Sequence, residues 1–326
     1  MKAAVVYKKG ELPKYAEFEE PIASNENEVL VSVKAVAITN LDKGIASGDH
    51  YSSEKENQNG FIVGSDAIGV LENGTRVYAR GISGTIAEKA LVEKNRMVVL
   101  PDGINDATAA AMPNAVAGSA MAFRFRAAIK PGETVLINGA TGFTGQMAVQ
   151  IAKHYGAKRI IVTGRNEKAL ENLLELGSDE IVSLKQNDKS FVSQLKEIHK
   201  NTPIDIVIDY LWGHSAELIL SILKGNGNFT HKTRYVSVGS MSGDNIQLSA
   251  QILRSVDLQL SGSGLGSWTK EEVKLLFSEI LPEMFQLAAD GKLKIETVNI
   301  PLKNIPVQPG SSPLHHSSSC SFLSKY

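Results

Sequence analysis

Cysteine is nearly missing from this chain: Cys320 is the only one among 326 residues. One thiol closes no disulfide within the chain and builds no cysteine-rich zinc site, so the expected fold owes nothing to cross-links or a metal knuckle. An excess of either charge is missing too. The 34 basic residues meet 35 acidic ones, and no basic stripe is sustained. Nucleic acid and anionic membrane surfaces are therefore not expected partners, because phosphate recognition needs clustered Lys and Arg. No apolar run reaches the roughly 18 residues that a bilayer-spanning helix requires. The opening stretch MKAAVVYKKGELPKY has no apolar segment of signal-peptide length. The expected location is the cytoplasm. With 43% apolar and 21% charged residues, the composition is that of a globular chain long enough for two cores.

The first hundred residues carry the short runs AAVVY, EVLVSVKAVAI, AIGVL, TRVYA and MVVL, bounded by Gly, Asn and Asp. Their length and β-branched content predict strands, hence a β-rich module. Between them the polar stretch from Ser47 to Gly60 predicts an exposed loop or lid. The texture changes after Ala107. An alanine-rich segment interrupted by Pro113 leads into KPGETVLING, and strands then alternate with amphipathic helices. The order is ETVLIN, helix 142–156, KRIIVTG, helix 166–176, EIVSL, helix 188–200, DIVIDY, helix 214–223, RYVSVG and DLQLSGSGL. Continuous apolar strands between helices predict a parallel sheet covered on both faces. Residues 270–290 carry one further helical stripe. Residues 306–326 are rich in serine and proline without any period, which predicts a disordered or surface-draped tail.

The most informative stretch is LINGATGFTGQM, Leu136 to Met147. A strand enters Gly139-Ala140-Thr141-Gly142-Phe143-Thr144-Gly145 and an amphipathic helix leaves it. In that setting small residues let the backbone approach a pyrophosphate, and the helix N-terminus offers unpaired N–H groups. Gly145 lets the helix pack close to the strand. The next strand ends in IIVTGRNEKAL, with no acid to take a ribose 2′-hydroxyl. It offers Gly164 and Arg165 instead, with Lys168 one turn on, and a guanidinium suits a 2′-phosphate. The expected cofactor is NADP(H). IDYLWG and SVGSMSG close later strands at the same edge, so Tyr210, Gly239 and Ser240 are expected on the cofactor side and Trp212 on the substrate side.

The segments GFIVGSDAIGVL, GTRVYA, LPDGINDATAAAMPNAVAGSAMA, KPGETVLINGATGFTGQMAVQIAKHYGA and LGSDEIVSL follow one another with a familiar spacing. In them, residues 1–305 resemble the medium-chain dehydrogenase/reductase superfamily, specifically its zinc-independent quinone oxidoreductase branch. The resemblance implies an α/β fold: a doubly wound parallel-sheet Rossmann domain with a β-rich GroES-like second domain. It implies a GroES-like part at 1–115, a Rossmann part at 116–265, a return to the substrate domain at 266–305, and an atypical tail at 306–326. Zinc enzymes of the superfamily carry a cysteine near AITNLD, a His-Glu pair in the GSDAIG region and a four-cysteine lobe. Here those positions read Thr39-Asn40 and Ser65-Asp66, and the lobe is absent, so no metal is expected.

Without a Lewis acid, the implied reaction is hydride transfer to a quinone or an α,β-unsaturated carbonyl. Such an acceptor needs mainly orientation and a hydrogen bond to the developing oxyanion. A zinc-free alcohol or carbonyl dehydrogenase, and a nucleotide-binding protein with little catalysis, are the alternatives. The resemblance points to Tyr51, Asn40 and Thr39 as catalytic donors, to Tyr51 and His50 as substrate contacts, and to Asn114 beside the nicotinamide. Asp42 is expected to fix its turn. From Pro306 the chain leaves the family's ending, as an altered reading frame or an alternative ending would make it, and the expected consequence is a missing strand in the β-rich module. The edge strand 257–265 is expected to pair across a two-fold axis, giving a homodimer.

Overall fold

The computed structural model describes residues 1–47, 60–225, 227, 231–305 and 319–323, with the backbone alone at 40, 41 and 319–323. It divides into two units, Met1–Asn114 with Leu275–Tyr326, and Ala115–Lys274. The return to the first unit thus falls at Leu275, later than the expected residue 266. Arg126 explains the delay: its guanidinium donates to the Ser267 carbonyl at 2.6 Å and pairs with Glu272 at 2.7 Å, tying the intervening segment into the second unit.

The first unit begins with β1 (Lys2–Val6), β2 (Lys14–Glu17), β3 (Glu28–Ile38), α1 (Asn40–Ser47), β4 (Phe61–Ile62), β5 (Asp66–Val70), β6 (Arg76–Gly81), β7 (Lys89–Val99) and α2 (Asp106–Met121). Strands β2, β1 and β4 form a small sheet. β3, β5, β6 and β7 form an antiparallel sheet in which β7 also pairs with β3, so the sheet curls back on itself. Val31 and Val33 of β3, Val77 and Ala79 of β6, and Ala90 and Val92 of β7 recur with period two, as one face of a pleated strand must, and share one core. The boundary between the units falls inside α2.

The second unit contains β8 (Thr134–Asn138), α3 (Phe143–His154), β9 (Arg159–Gly164), α4 (Glu167–Leu176), β10 (Glu180–Ser183), α5 (Asp188–Asn201), β11 (Ile206–Asp209), α6 (Gly213–Ile222), β12 (Thr233–Ser237), α7 (Ala250–Ser255), β13 (Leu258–Gly262) and α8 (Lys270–Leu275). Every strand pairing is parallel, and the order is β10-β9-β8-β11-β12-β13. β8 and β11 are buried along their whole length, as expected for strands with helices on both faces. The order reverses between β8 and β11, and ligands of doubly wound sheets sit beyond the carboxyl ends of the strands at that point.

After Leu275 the chain makes a wide helical turn over Leu276–Ile280 before α9 (Leu281–Ala289). Pro282 has no N–H to return to the Ser278 carbonyl, so the single helix expected over 270–290 opens there. Phe285 of α9 packs on Tyr78, with ring centroids 5.8 Å apart. β14 (Thr297–Pro301) and β15 (Ser319–Leu323) complete the larger sheet in the order β14-β15-β3-β5-β6-β7. The tail therefore contributes a strand, which corrects the expectation of a patternless 306–326 and a missing strand. The facing edges of β3 and β14 supply the backbone partners for β15, and serine-rich composition carries no sign of them.

Candidate functional site

Strand β8 ends in Asn138, and Gly139 turns the chain at φ +85°, a conformation open to glycine and strained for other residues. Three glycines in this turn have different reasons to be there. A Cβ on Gly145 would lie 2.5 Å from Ala140 Cα, so only glycine lets α3 approach the strand end. A Cβ on Gly142 would meet nothing within 4 Å. Packing explains Gly145, whereas Gly142 borders open space.

Gly142 is also the residue before α3, and it supplies no side-chain cap. α4, α5 and α7 are capped by Asn166, Asn187 and Ser249. The first N–H groups of α3 thus emerge uncapped beside the open glycine, the arrangement that favours an anion. Phe143 and Thr144 form that first turn, both partly exposed. Thr141 turns its methyl group toward Gly164 at the end of β9.

Arg165 follows Gly164 directly, and Lys168 lies in the first turn of α4; both are exposed. Arg76, Arg126, Arg159 and Arg234 all pair with carboxylates. Arg165 has no such partner among the described residues. It lines a cleft of about 130 Å³ with Gln186, Asp188, Leu211, His214 and Ser242, all in the second unit.

Several expected residues are placed less freely. The Tyr210 ring is buried, and its hydroxyl shares a hydrogen bond with Ser119 at 2.9 Å; burial pushes its pKa well above the ordinary phenol value. The Trp212 indole packs against the core formed by α5 and α6 and meets Tyr235 edge-on at 6.2 Å. Trp212 remains partly exposed. The Gly239 N–H donates to the Asp209 carbonyl at 3.1 Å, and Ser240 is exposed. Asn114 is exposed on α2. His50 and Tyr51 lie outside the described residues, as does the Asn40 side chain.

The sequence reading missed a buried network at the strand ends. Asn138 donates to Asp209 at 2.7 Å and to Ser215 at 3.0 Å, and it accepts from Thr163 at 2.6 Å. Tyr235 donates to Asp209 at 2.6 Å. The available signal was a polar residue at or next to the carboxyl end of each of three strands: Asn138, Thr163 and Asp209.

In the first unit, Asp42 collects three hydrogen bonds: from the Thr39 N–H at 2.8 Å, the Thr39 hydroxyl at 2.6 Å and the Ser65 hydroxyl at 2.7 Å. This is a reciprocal cap on α1, because the Asp42 N–H returns to Thr39 Oγ1. The Thr39 hydroxyl directs its proton to Asp42. Asp66 accepts from Tyr78 at 2.9 Å. Burial first, and Asp42 second, push its carboxyl up to about 7. Among the described residues, no group of three or more His, Cys, Asp or Glu is arranged to hold a metal ion. Among those residues, no helix is long and apolar enough to cross a membrane.

Strand order, glycine turn and β-rich companion together define a two-unit α/β protein of the Rossmann type. The pattern of the zinc-binding dehydrogenase family matches residues 144–281. The human quinone oxidoreductase is 28% identical over 258 residues, which cover 76% of this chain and 74% of that protein. Quinone oxidoreductase 1 of Escherichia coli (strain K12) is 29% identical over 299 residues, covering 87% of each. A crystal structure of an Escherichia coli quinone oxidoreductase complexed with NADPH superposes with a TM-score of 0.76 at 24% identity, covering 99% of this chain and 100% of that one. The chain is thus similar to medium-chain dehydrogenases/reductases, and among them to quinone oxidoreductases.

The raised Asp66 carboxyl makes the stability of the fold depend on pH. Its folded pKa of about 7 lies above the ordinary 3.8, so the folded state holds the proton more tightly. Stability is then highest at low pH with respect to this group, and falls as pH rises from about 4 to 7. Asp66→Asn keeps an acceptor for Tyr78 and removes the ionisation. The variant should lose this pH dependence and be the more stable protein above pH 7, by on the order of 2–4 kcal/mol, as read by urea denaturation at pH 5 and pH 8.

Proposed function

We propose that the chain is an NADPH-dependent oxidoreductase that passes hydride to a quinone or an α,β-unsaturated carbonyl without a metal. One pairing at the carboxyl edge of the parallel sheet carries this reading: a turn left open at Gly142 beside an uncapped helix, and, at the neighbouring strand end, an Arg165 guanidinium with no carboxylate partner among the described residues. The first suits a pyrophosphate and the second a ribose 2′-phosphate. The NADPH complex of the Escherichia coli structure and the names of the relatives support the same reading.

Under it, the turn from Gly139 through Gly145 holds the pyrophosphate. Gly164, Arg165 and Lys168 take the adenosine end, and Asn114, Tyr210, Gly239 and Ser240 serve the nicotinamide side. When bound, the reduced dinucleotide supplies the hydride. The chain orients the acceptor and donates a hydrogen bond to the oxygen on which negative charge develops. Asn40, His50 and Tyr51 are the proposed donors. Thr39 acts through the Asp42 cap, which fixes the start of α1.

The test is cofactor discrimination. Arg165→Asp should raise the Kd for NADPH about 10- to 100-fold and leave that for NADH unchanged or lower, by calorimetry. Equal losses for both would contradict the reading, and so would stoichiometric zinc in the purified protein.

Two glycine substitutions separate packing from binding. Gly145→Ala should cost about 1–3 kcal/mol of stability through its clash with Ala140. Gly142→Ala should leave the unfolding midpoint almost unchanged and still weaken NADPH binding. If both variants lost only stability, Gly142 would have no part in binding.

β13 ends the parallel sheet, and Leu253, Leu260 and Leu265 are exposed on or near it. An apolar open edge of this kind supports a homodimer through residues 257–265. Light scattering at micromolar concentration should give twice the chain mass, and Leu260→Lys should shift it toward the monomer.

A further inference from the structure

Asp209 has no exposed surface, yet its carboxylate is the meeting point of four donors. Oδ1 accepts from Asn138 Nδ2 at 2.7 Å, from the Leu211 N–H at 2.8 Å and from the Trp212 N–H at 3.1 Å. Oδ2 accepts from the Tyr235 hydroxyl at 2.6 Å. A carboxylate taken from water is tolerated only with this kind of compensation. We propose that Asp209 is the positioning residue of the dinucleotide site, setting the glycine turn and the loop after β11 through the hydrogen bonds it alone can accept. This inference rests on the NADPH-binding reading of the site.

The first branch follows from donor and acceptor inventory. An ionised carboxylate cannot donate, so Asn138 must turn its NH₂ toward Asp209. The Asn138 oxygen then faces Thr163, whose hydroxyl donates to it at 2.6 Å. With its proton spent there, Thr163 Oγ1 accepts the N–H of Gly139 at 3.2 Å. The direction of every bond from β11 through β8 to β9 is set by the one member that only accepts. Its last bond fixes the first glycine of the turn.

The second branch is a tight side-chain turn. By accepting from residues two and three positions ahead, Asp209 folds the chain back immediately after β11. This holds Trp212 at φ +56°, a region costly for any residue but glycine. It also brings Leu211 over the glycine turn: a Cβ on Gly139 would lie 2.7 Å from Leu211 Cγ. The Leu211 carbonyl accepts the Ser242 N–H at 2.8 Å. Leu211 and Ser242 line the cleft that contains Arg165. The carboxylate thereby acts through the residues it holds.

Asp209→Asn keeps the shape and places an amide NH₂ where donors converge. The exchange variant Asn138→Asp with Asp209→Asn restores one carboxylate and one amide with the bond between them reversed. Apo protein is compared by Trp212 fluorescence in a Trp268→Phe background, and NADPH and NADH affinities by calorimetry. Asp209→Asn should shift the Trp212 emission and weaken both dinucleotides about tenfold or more. The exchange should recover most of the affinity. Because a loss common to both cofactors is expected, this result is separable from the Arg165 test, which reads their ratio. Wild-type affinity in a folded Asp209→Asn protein would overturn the proposal, and so would an exchange variant that regains stability without affinity. If Asp209→Asn fails to fold, Tyr235→Phe decides: removing one of the four donors should weaken both dinucleotides, and unchanged affinity would overturn the assignment. Wild-type protein that binds neither dinucleotide would instead remove the functional reading beneath it.

Discussion

The carboxyl edge of the parallel sheet depends on keeping one buried carboxylate satisfied. The middles of β8, β9 and β11 are apolar, and a buried polar residue stands at or next to the carboxyl end of each: Asn138, Thr163 and Asp209. These three reach one another only because β9, β8 and β11 are adjacent and in register, with Asp209 opposite Asn138. Shifting that register by one residue would bury the carboxylate among valine and isoleucine side chains, a far worse environment. The polar edge therefore selects the sheet register as much as the sheet creates the polar edge.

A comparison of two aspartates shows how donors decide the behaviour of such groups. Asp209 receives two backbone N–H groups, an amide and a phenol. Asp66 receives one phenol and faces a second carboxylate, Asp42, which has taken the nearby hydroxyls. Its carboxyl is accordingly pushed up to about 7. The first aspartate organises backbone, whereas the second makes the β-rich unit responsive to pH. The same side chain serves both ends because its hydrogen-bond partners differ.

Much of the second unit was legible in the sequence, because a buried parallel sheet writes itself as apolar runs separated by amphipathic helices. The glycine turn was legible for a related reason: Gly145 is imposed by the contact with Ala140, so the motif records a steric fact. Arg165 stood out by the absence of an acid beside it. The packing of Trp212 on the α5 and α6 core was not legible, because an aromatic residue at a strand end looks the same in sequence whichever way it faces. The bond from Thr39 to Asp42 was not legible either, because a hydroxyl shows nothing of its partner until Asp42 folds back onto it. β15 escaped notice because five residues in a serine-rich tail carry almost no periodic signal.

Local chemistry is thus what the amino-acid order determined by itself: which runs become strands, where helices start and stop, and where glycine is obligatory. Those properties depend on neighbours within a few residues, so they survive reading in one dimension. The assembly of Asn138, Thr163, Asp209 and Tyr235, and the return of β15 between β14 and β3, was decided only by the tertiary structure. Hydrogen bonds act over about 3 Å between residues far apart along the chain, and only the packed sheet brings them that close.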